Sequence, residues 1–266
     1  MSEEENFILM DGAMVLDALN SSRLFTAPDT PWLHPVFAHE DLRLAGPLLV
    51  AYTRVPEDGP EWKEIGRINN AFAHQLHFSI VRTGLPMQAL AEHLRGFACF
   101  TDGAGDTYGL RIGDSRVASY LQGVLTSGQW NALTAPMACW QITNRSGETL
   151  DLKLSETRLQ SGAGELRQLS LSDEQIDQLM QASEPDGLLA QIGKEPTLDS
   201  AQYTQSRYET ASNCIRIWKT GGSSDRGVLC DFARRVFELG TAHRNDDAWM
   251  RQRLQEVSES DEKGSA

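Results

Sequence analysis

The stretch TYGLRIGDSRVASYLQGVL, residues 107–125, changes its hydrophobic period halfway along. Up to Gly113, Tyr108, Leu110 and Ile112 alternate with Gly109, Arg111 and Gly113, which is the two-residue period of a strand. From Asp114 onward Val117, Tyr120, Leu121, Val124 and Leu125 recur at helical spacing, and Asp114 or Ser115 is placed to cap that helix. A strand that turns directly into a helix points to an α/β fold. Gly109 and Gly113 on the face of Arg111 leave room for its guanidinium to lie flat and fork onto a carboxylate. Arg116, in the first helical turn, opposes the helix dipole unless an acid compensates it. Asp11 is the expected partner for either arginine, so the stretch reads as a brace between the first strand and the Asp114 helix.

The rest of the first half repeats the alternation. NFILMDGA is an apolar run stopping at Asp-Gly, a buried strand ending in a tight turn, and residues 13–20 look helical. GPLLVAYTRV and LHFSIVRTG read as strands around the helix GPEWKEIGRINNAFAHQ. GLPMQALAEHLRGFACF carries Leu90, His93, Leu94 and Phe97 at helical spacing, and MACWQITN and TLDLKLS form two strands around an Asn-Arg-Ser-Gly turn. After QSGAGELRQ helical periods take over. Ser172 and Gln175 form a capping-box pattern, and three stripes follow: Tyr208, Ala211, Ile215 and Trp218; Val228, Phe232, Val236 and Leu239; and Met250, Leu254 and Val257, the last capped by Asn245. The expected organisation is a mixed-sheet α/β lobe over 1–155, a linker over 156–168, an all-α lobe over 169–258 and a disordered tail over 259–266.

Composition limits the partners. With 24 Lys+Arg against 37 Asp+Glu the formal charge is −13, so nucleic acid and anionic membrane surfaces are repelled. No segment reaches the roughly 18 apolar residues of a membrane span, and the amino terminus lacks the basic and apolar regions of a secretory signal. Cys99, Cys139, Cys214 and Cys230 show no CxxC spacing, which fits a reduced, cytoplasmic protein without structural zinc.

Motifs that carry chemistry are sparse. GAGDTYG precedes a strand and TGGSSDRG links two helices, so neither makes a strand-loop-helix phosphate cradle. His34 with His39 and Glu40, or His74 with His77, leave a metal site without a visible third ligand. No GxSxG elbow occurs. Asp11 and Asp114 at strand ends would be the acid and base of a small α/β enzyme, whereas the simpler reading makes them caps and turn acceptors. No cofactor is expected.

Taken in order, FILMDGA, PWLHPVF, GPLLVAY, ALAEHLRGF, LRIGDSRV and MACWQIT resemble the adaptor-chaperone family of bacterial type VI secretion, over roughly residues 6–150. In that family the strand-to-helix corner carries an aromatic pair followed by Asp-Pro-Arg. Here Ile112-Gly113-Asp114-Ser115-Arg116 stands in its place: Asp114 and Arg116 match, the aromatics are absent, and Ser115 replaces the proline. Leu9 to Ala13, including Asp11 and Gly12, His93-Leu94-Arg95 and Trp140 also match. The resemblance implies a non-catalytic protein that binds a cognate toxic effector and loads it onto the spike protein of the secretion apparatus. Arg234, Phe237, Trp249 and Arg253 are the expected partner-binding candidates, since Arg and aromatic side chains dominate hot spots; the competing reading places Phe237 and Trp249 in the core. An immunity protein that blocks a toxin is a further alternative, because acidic charge speeds encounter with a basic target.

Overall fold

A computed structural model of the 266-residue chain describes residues 4–27, 30–154, 168–194, 204–222, 224–239 and 243–264. The chain is α/β in class and divides into two compact units, residues 1–179 with 197–201, and residues 180–196 with 202–266. Apart from Gln168, the expected linker 156–168 lies outside the described residues.

The first unit is built on β1 (Glu5–Asp11), flanked by β3 (Pro47–Val50) and β4 (Phe78–Thr83), each antiparallel to it. Adding β2 (Leu33–Pro35), β7 (Met137–Thr143) and β8 (Thr149–Asp151) gives a six-stranded sheet in the order β2-β3-β1-β4-β7-β8. The apolar run of β1 is uninterrupted because both faces are covered. Phe7 and Leu9 join Val81 and Trp140 in one core; Ile8 and Met10 join Leu48 and Phe78 in another. The first core is closed by α4 (Met87–Arg95), α5 (Ser115–Val124) and α6 (Ser127–Thr134), the second by α1 (Leu16–Asn20), α2 (Arg23–Thr26) and α3 (Pro60–Asn69). A second sheet holds β5 (Cys99–Thr101) between β6 (Thr107–Gly109), antiparallel, and β9 (Leu169–Ser170), parallel.

The alternation of residues 107–113 is read differently by the structure. The strand stops at Gly109, and residues 110–114 form a turn that leads into α5. Leu110 and Ile112 are still buried, but Tyr108 is 47 % exposed, so the three apolar residues do not share one strand face. Gly113 marks a close approach: a Cβ there would lie 2.5 Å from the Met10 carbonyl carbon and 2.6 Å from Asp11 N. The short elements β2, β5 and α6 have no clear periodic signal, although α6 is started by a full capping box between Thr126 and Gln129.

The α-helical lobe does not begin at residue 169. Leu169, Leu171 and Leu179 are buried in the core of the first unit, and β9 is tied to β5, so the division falls inside α7 (Asp173–Gln191). The Ser172–Gln175 capping box forms, with Ser172 N donating to Gln175 Oε1 at 3.1 Å and Gln175 N to Ser172 Oγ at 3.3 Å. In the second unit α8 (Thr204–Thr220), α9 (Arg226–Leu239) and α10 (Asp247–Gly264) bury Ala211, Ile215, Trp218, Val228, Phe232, Val236, Met250 and Leu254 together. Leu239 falls off its stripe and is exposed. The cap of α10 is Asp246, whose carboxylate accepts from Trp249 N at 3.0 Å, while Asn245 accepts from Asn213. Instead of a disordered tail from 259, α10 continues to Gly264.

Before β4 the backbone is strained. His74 and Gln75 have φ of 52° and 55°, a left-handed conformation that costs about 1–2 kcal/mol for each residue with a side chain. Gly147, in the β7–β8 turn, presses on the same place, since a Cβ there would be 2.6 Å from His74 Nδ1. Gln75 is exposed, so Gln75→Gly relieves strain without removing packing. It is expected to raise stability in urea unfolding by about 1 kcal/mol, after the extra chain entropy of glycine is subtracted.

Candidate functional site

Four elements converge where β1 ends. Asp11 sits on its last position, and its backbone N donates to His77 O at 2.8 Å, which fixes the start of β4. Its side chain caps the following 3-10 turn, accepting from Met14 N at 3.2 Å, and takes Arg111 Nε at 2.8 Å. Gly12 is required next: a Cβ would collide with the Leu44 and Gly46 carbonyl oxygens. Asp114, on the turn after Arg111, caps α5 by accepting from Arg116 N at 2.9 Å. Arg116 folds back onto the same carboxylate, with Nε at 2.9 Å and Nη2 at 2.7 Å, and Arg111 Nη2 stands 3.4 Å from Asp114 Oδ2. Ser115 closes the joint by donating from N to Leu76 O at 2.9 Å and from Oγ to Phe78 O.

Asp11 is thus the partner of Arg111, and Asp114 that of Arg116. Arg116 at the start of a helix is compensated by the cap itself. The glycines flanking Arg111 act otherwise than by giving it space: Gly109 faces no neighbouring atom, and Gly113 lets the turn lie against β1.

Their partners, not their burial, divide the two acids. Asp114 is almost wholly enclosed; burial pushes its carboxyl up, but the attraction and hydrogen bonds of Arg116, with Arg111 beyond, hold it below the usual aspartate value. Asp11 is as deeply set, and there burial prevails over Arg111, so its carboxyl is raised. His77, in the same joint, is fully buried between Phe72 and Phe78, and neither ring nitrogen has a hydrogen-bond partner of good geometry among the described residues. Burial pushes it down to about 4, against the opposing pull of the Ile68 carbonyl and the charge of Asp114. The oxygens of both acids are occupied by backbone amides and guanidinium groups, and the chemistry the joint performs is internal charge compensation. Among the described residues no group of three His, Cys, Asp or Glu is placed to hold a metal ion.

The other motif residues also work as joints. His93 Nε2 lies 2.8 Å from Leu133 O, tying α4 to α6, and Arg95 Nε donates to Val36 O at 2.8 Å, tying α4 to the segment after β2. Trp140 is fully buried, donates to Ser79 Oγ at 2.9 Å and stacks on Trp130 at 5.8 Å. Of the expected partner-binding residues, Phe237 and Trp249 pack against the helical core, and Arg253 lies over Trp249 at 5.7 Å and pairs with Glu256. Arg234 is half exposed and pairs with Asp231. From sequence His77 is read only as a metal candidate beside His74, and Ser115 only as a cap; their place in this joint is signalled by position alone, immediately before a strand and immediately after a capping aspartate.

The first unit is therefore an α/β scaffold whose charged motif residues are engaged by its own carboxylates and backbone. A family model described as a domain of unknown function (DUF4123) matches residues 6–132, just under half of the chain. The matched segment contains the whole Asp11–Arg111–Asp114–Arg116 joint and stops before β7, a strand of the same sheet. No curated protein and no solved structure matches the chain.

Removing Arg116 strands an enclosed carboxylate, whereas removing Arg111, which is 46 % exposed, lets water take its place. Arg116→Ala is therefore expected to cost about 3–5 kcal/mol in denaturant unfolding and Arg111→Ala about 1 kcal/mol; equal losses would contradict this division. His77 adds a pH dependence. Its folded pKa lies below its unfolded value of 6.5, so between pH 6.5 and about 4 the unfolded chain binds a proton that the folded chain refuses. Stability from this residue is complete above pH 6.5 and falls by about 3 kcal/mol on descending to pH 4. Asp11 offsets part of the loss, because its raised carboxyl takes up a proton earlier in the fold, and Asp114 contributes a loss only below the ordinary aspartate range. Unfolding midpoints measured from pH 7 to 4.5 should fall, and His77→Phe should flatten the slope.

Proposed function

We propose that the chain is a type VI secretion adaptor-chaperone that binds a cognate effector and delivers it to the spike protein, with no catalytic step of its own. The observation that carries this reading is the placement of the motifs on which the resemblance rests. Gly12, Arg95, the Asp114–Arg116 pair at the start of α5, and Trp140 lie on four separate elements, and each makes a tie within the first unit. A set of residues spent on holding a scaffold fits a protein whose work is done by its surface. That no helix among the described residues is long and apolar enough to cross a membrane agrees with a carrier that meets its client in solution.

One observation favours the enzyme alternative: the raised carboxyl of Asp11 is the property of a general acid. Its oxygens, however, are engaged by Met14 N and Arg111, which leaves little room for substrate.

The test is co-expression of the tagged chain with the effector and spike proteins encoded beside it, followed by size exclusion. A stable complex that requires the spike-proximal segment of the effector is expected, together with loss of effector delivery when the chain is deleted from the attacking cell. Protection of an intoxicated recipient cell would instead identify an immunity protein. A folded chain that binds neither partner, with turnover lost in Asp11→Asn, would favour the enzyme.

A further inference from the structure

A strand at the edge of a sheet carries backbone groups that the sheet cannot satisfy, and folded chains manage such edges explicitly. The first unit has four of them: β2 and β8 in the six-stranded sheet, β6 and β9 in the smaller one. β2 is blunted. Leu33 N donates to Thr30 O at 3.1 Å, Pro35 has no N–H, and the Pro35 carbonyl lies 2.8 Å from His34 Nδ1. β9 is two residues long, and Ser170 O accepts from Gln129 Nε2 at 2.7 Å.

β8 is left open. Asn144 N donates to Glu148 O at 2.9 Å and Leu152 N to Trp140 O at 2.8 Å, so Glu148, Leu150 and Leu152 face β7. The residues between them, Thr149 and Asp151, turn N–H and C=O outward, and Lys153 continues the row with its N–H. Thr149, Asp151 and Lys153 are exposed, and among the described residues these three amides meet no acceptor. The row stops there, because Lys153 O accepts from Gln122 Nε2 at 3.2 Å and from Trp130 Nε1 at 2.9 Å. In the middle stands Leu150, 43 % exposed. The Asp151 carboxylate accepts from Gln141 Nε2 at 3.1 Å and enters no ion pair among the described residues. β6 also has two outward residues, Thr107 and Gly109, but its exposed side chain is committed. Tyr108 stacks on Phe100 at 5.4 Å and donates to Asp102 at 3.2 Å, and the chain turns away at Leu110.

We infer that the outer edge of β8 receives an extended segment of a partner protein as a seventh strand, with an apolar residue beside Leu150 and a Lys or Arg opposite Asp151. A row of amides and carbonyls at sheet spacing is matched by another extended backbone, and alternate side chains then decide which segment fits. Charge decides against a second copy. Twofold pairing centred on Leu150 puts the two Asp151 carboxylates on a diagonal, pairing centred on Asp151 sets them face to face, and each chain brings a charge of −13. The inference rests on this edge, and its test uses peptides rather than an effector, so it stands or falls apart from the adaptor reading.

The test is selection of a displayed library of short random peptides on the whole protein, with counter-selection on Thr149→Pro. Proline is tolerated on an edge strand where its missing N–H faces outward, so the ladder to β7 survives, which thermal melting checks. Peptides alternating apolar residues with Lys or Arg should be enriched. Individual binders should lose about tenfold or more in affinity on Thr149→Pro, as for an unmade backbone hydrogen bond, and keep it on Thr149→Val. They should weaken on Asp151→Asn and as salt rises. N-methylation along a bound peptide, read on the unaltered protein, should abolish binding at alternate amides and spare those between. Absence of enrichment, binders that tolerate Thr149→Pro, or a methylation profile without alternation would overturn the inference. So would a chain that dimerises alone and loses its dimer on Thr149→Pro, which would give the edge to a second copy.

Discussion

The structure of the first unit depends on one enclosed carboxylate, that of Asp114. A charge taken out of water costs several kcal/mol unless donors replace the water, and here the replacement is made by Arg116 N, by Nε and Nη2 along one edge of the Arg116 guanidinium and by Nη2 of Arg111. These requirements place α5. The helix must start at Ser115, whose amide and hydroxyl must lie beside the Leu76 and Phe78 carbonyls respectively, and the preceding turn must pass close enough to β1 that residue 113 has no side chain. Arg111, reaching from the same turn to Asp11, then ties the end of the central strand to the helix that covers its sheet. Gly12 and Gly113 are consequences of that closeness on either side of the joint.

Such a joint is legible in sequence because charge has few solutions when it is buried. Two arginines and two aspartates in an otherwise apolar surrounding announce a pairing, with Asp11 the expected partner of either arginine. Which arginine takes which acid depends on a turn of five residues, 110–114, and that turn is hidden by a chance alternation of apolar residues. Leu110 and Ile112 are buried for two different reasons, one as a continuation of the β5–β6 pairing, with Leu110 N bonded to Ala98 O, and the other within the turn. The place of His77 in the joint is hidden for the opposite reason. A histidine between aromatic neighbours gives no pattern, and its missing partners are a property of three-dimensional packing alone.

The helical half shows the same limits. Its helices α8, α9 and α10 run for 14 residues or more, so most of their buried positions follow from spacing. The boundary does not, because α7 is one continuous helix whose first two turns serve the core of the first unit and whose remainder serves the second. A break in composition after residue 155 suggested a domain edge where the chain returns to add β9. Composition records where a chain is polar; it does not record which sheet a two-residue strand will join.

The inward use of charge also bears on where the molecule can meet others. Arg116, only 11 % exposed, is fixed by Asp114, and Arg95, although exposed, is tied through its Nε to Val36 O. Trp249, chosen from sequence because aromatic residues dominate interfaces, is likewise covered by its own arginine. An interface needs side chains that folding has left unsatisfied, and residue type alone cannot reveal them. Such side chains are what remains when internal ion pairs and ring contacts are subtracted. The same subtraction explains how an acidic protein can hold a neutral, well-matched interior: its negative charge resides in carboxylates that the fold has no use for, and these set the sign of the partner it attracts.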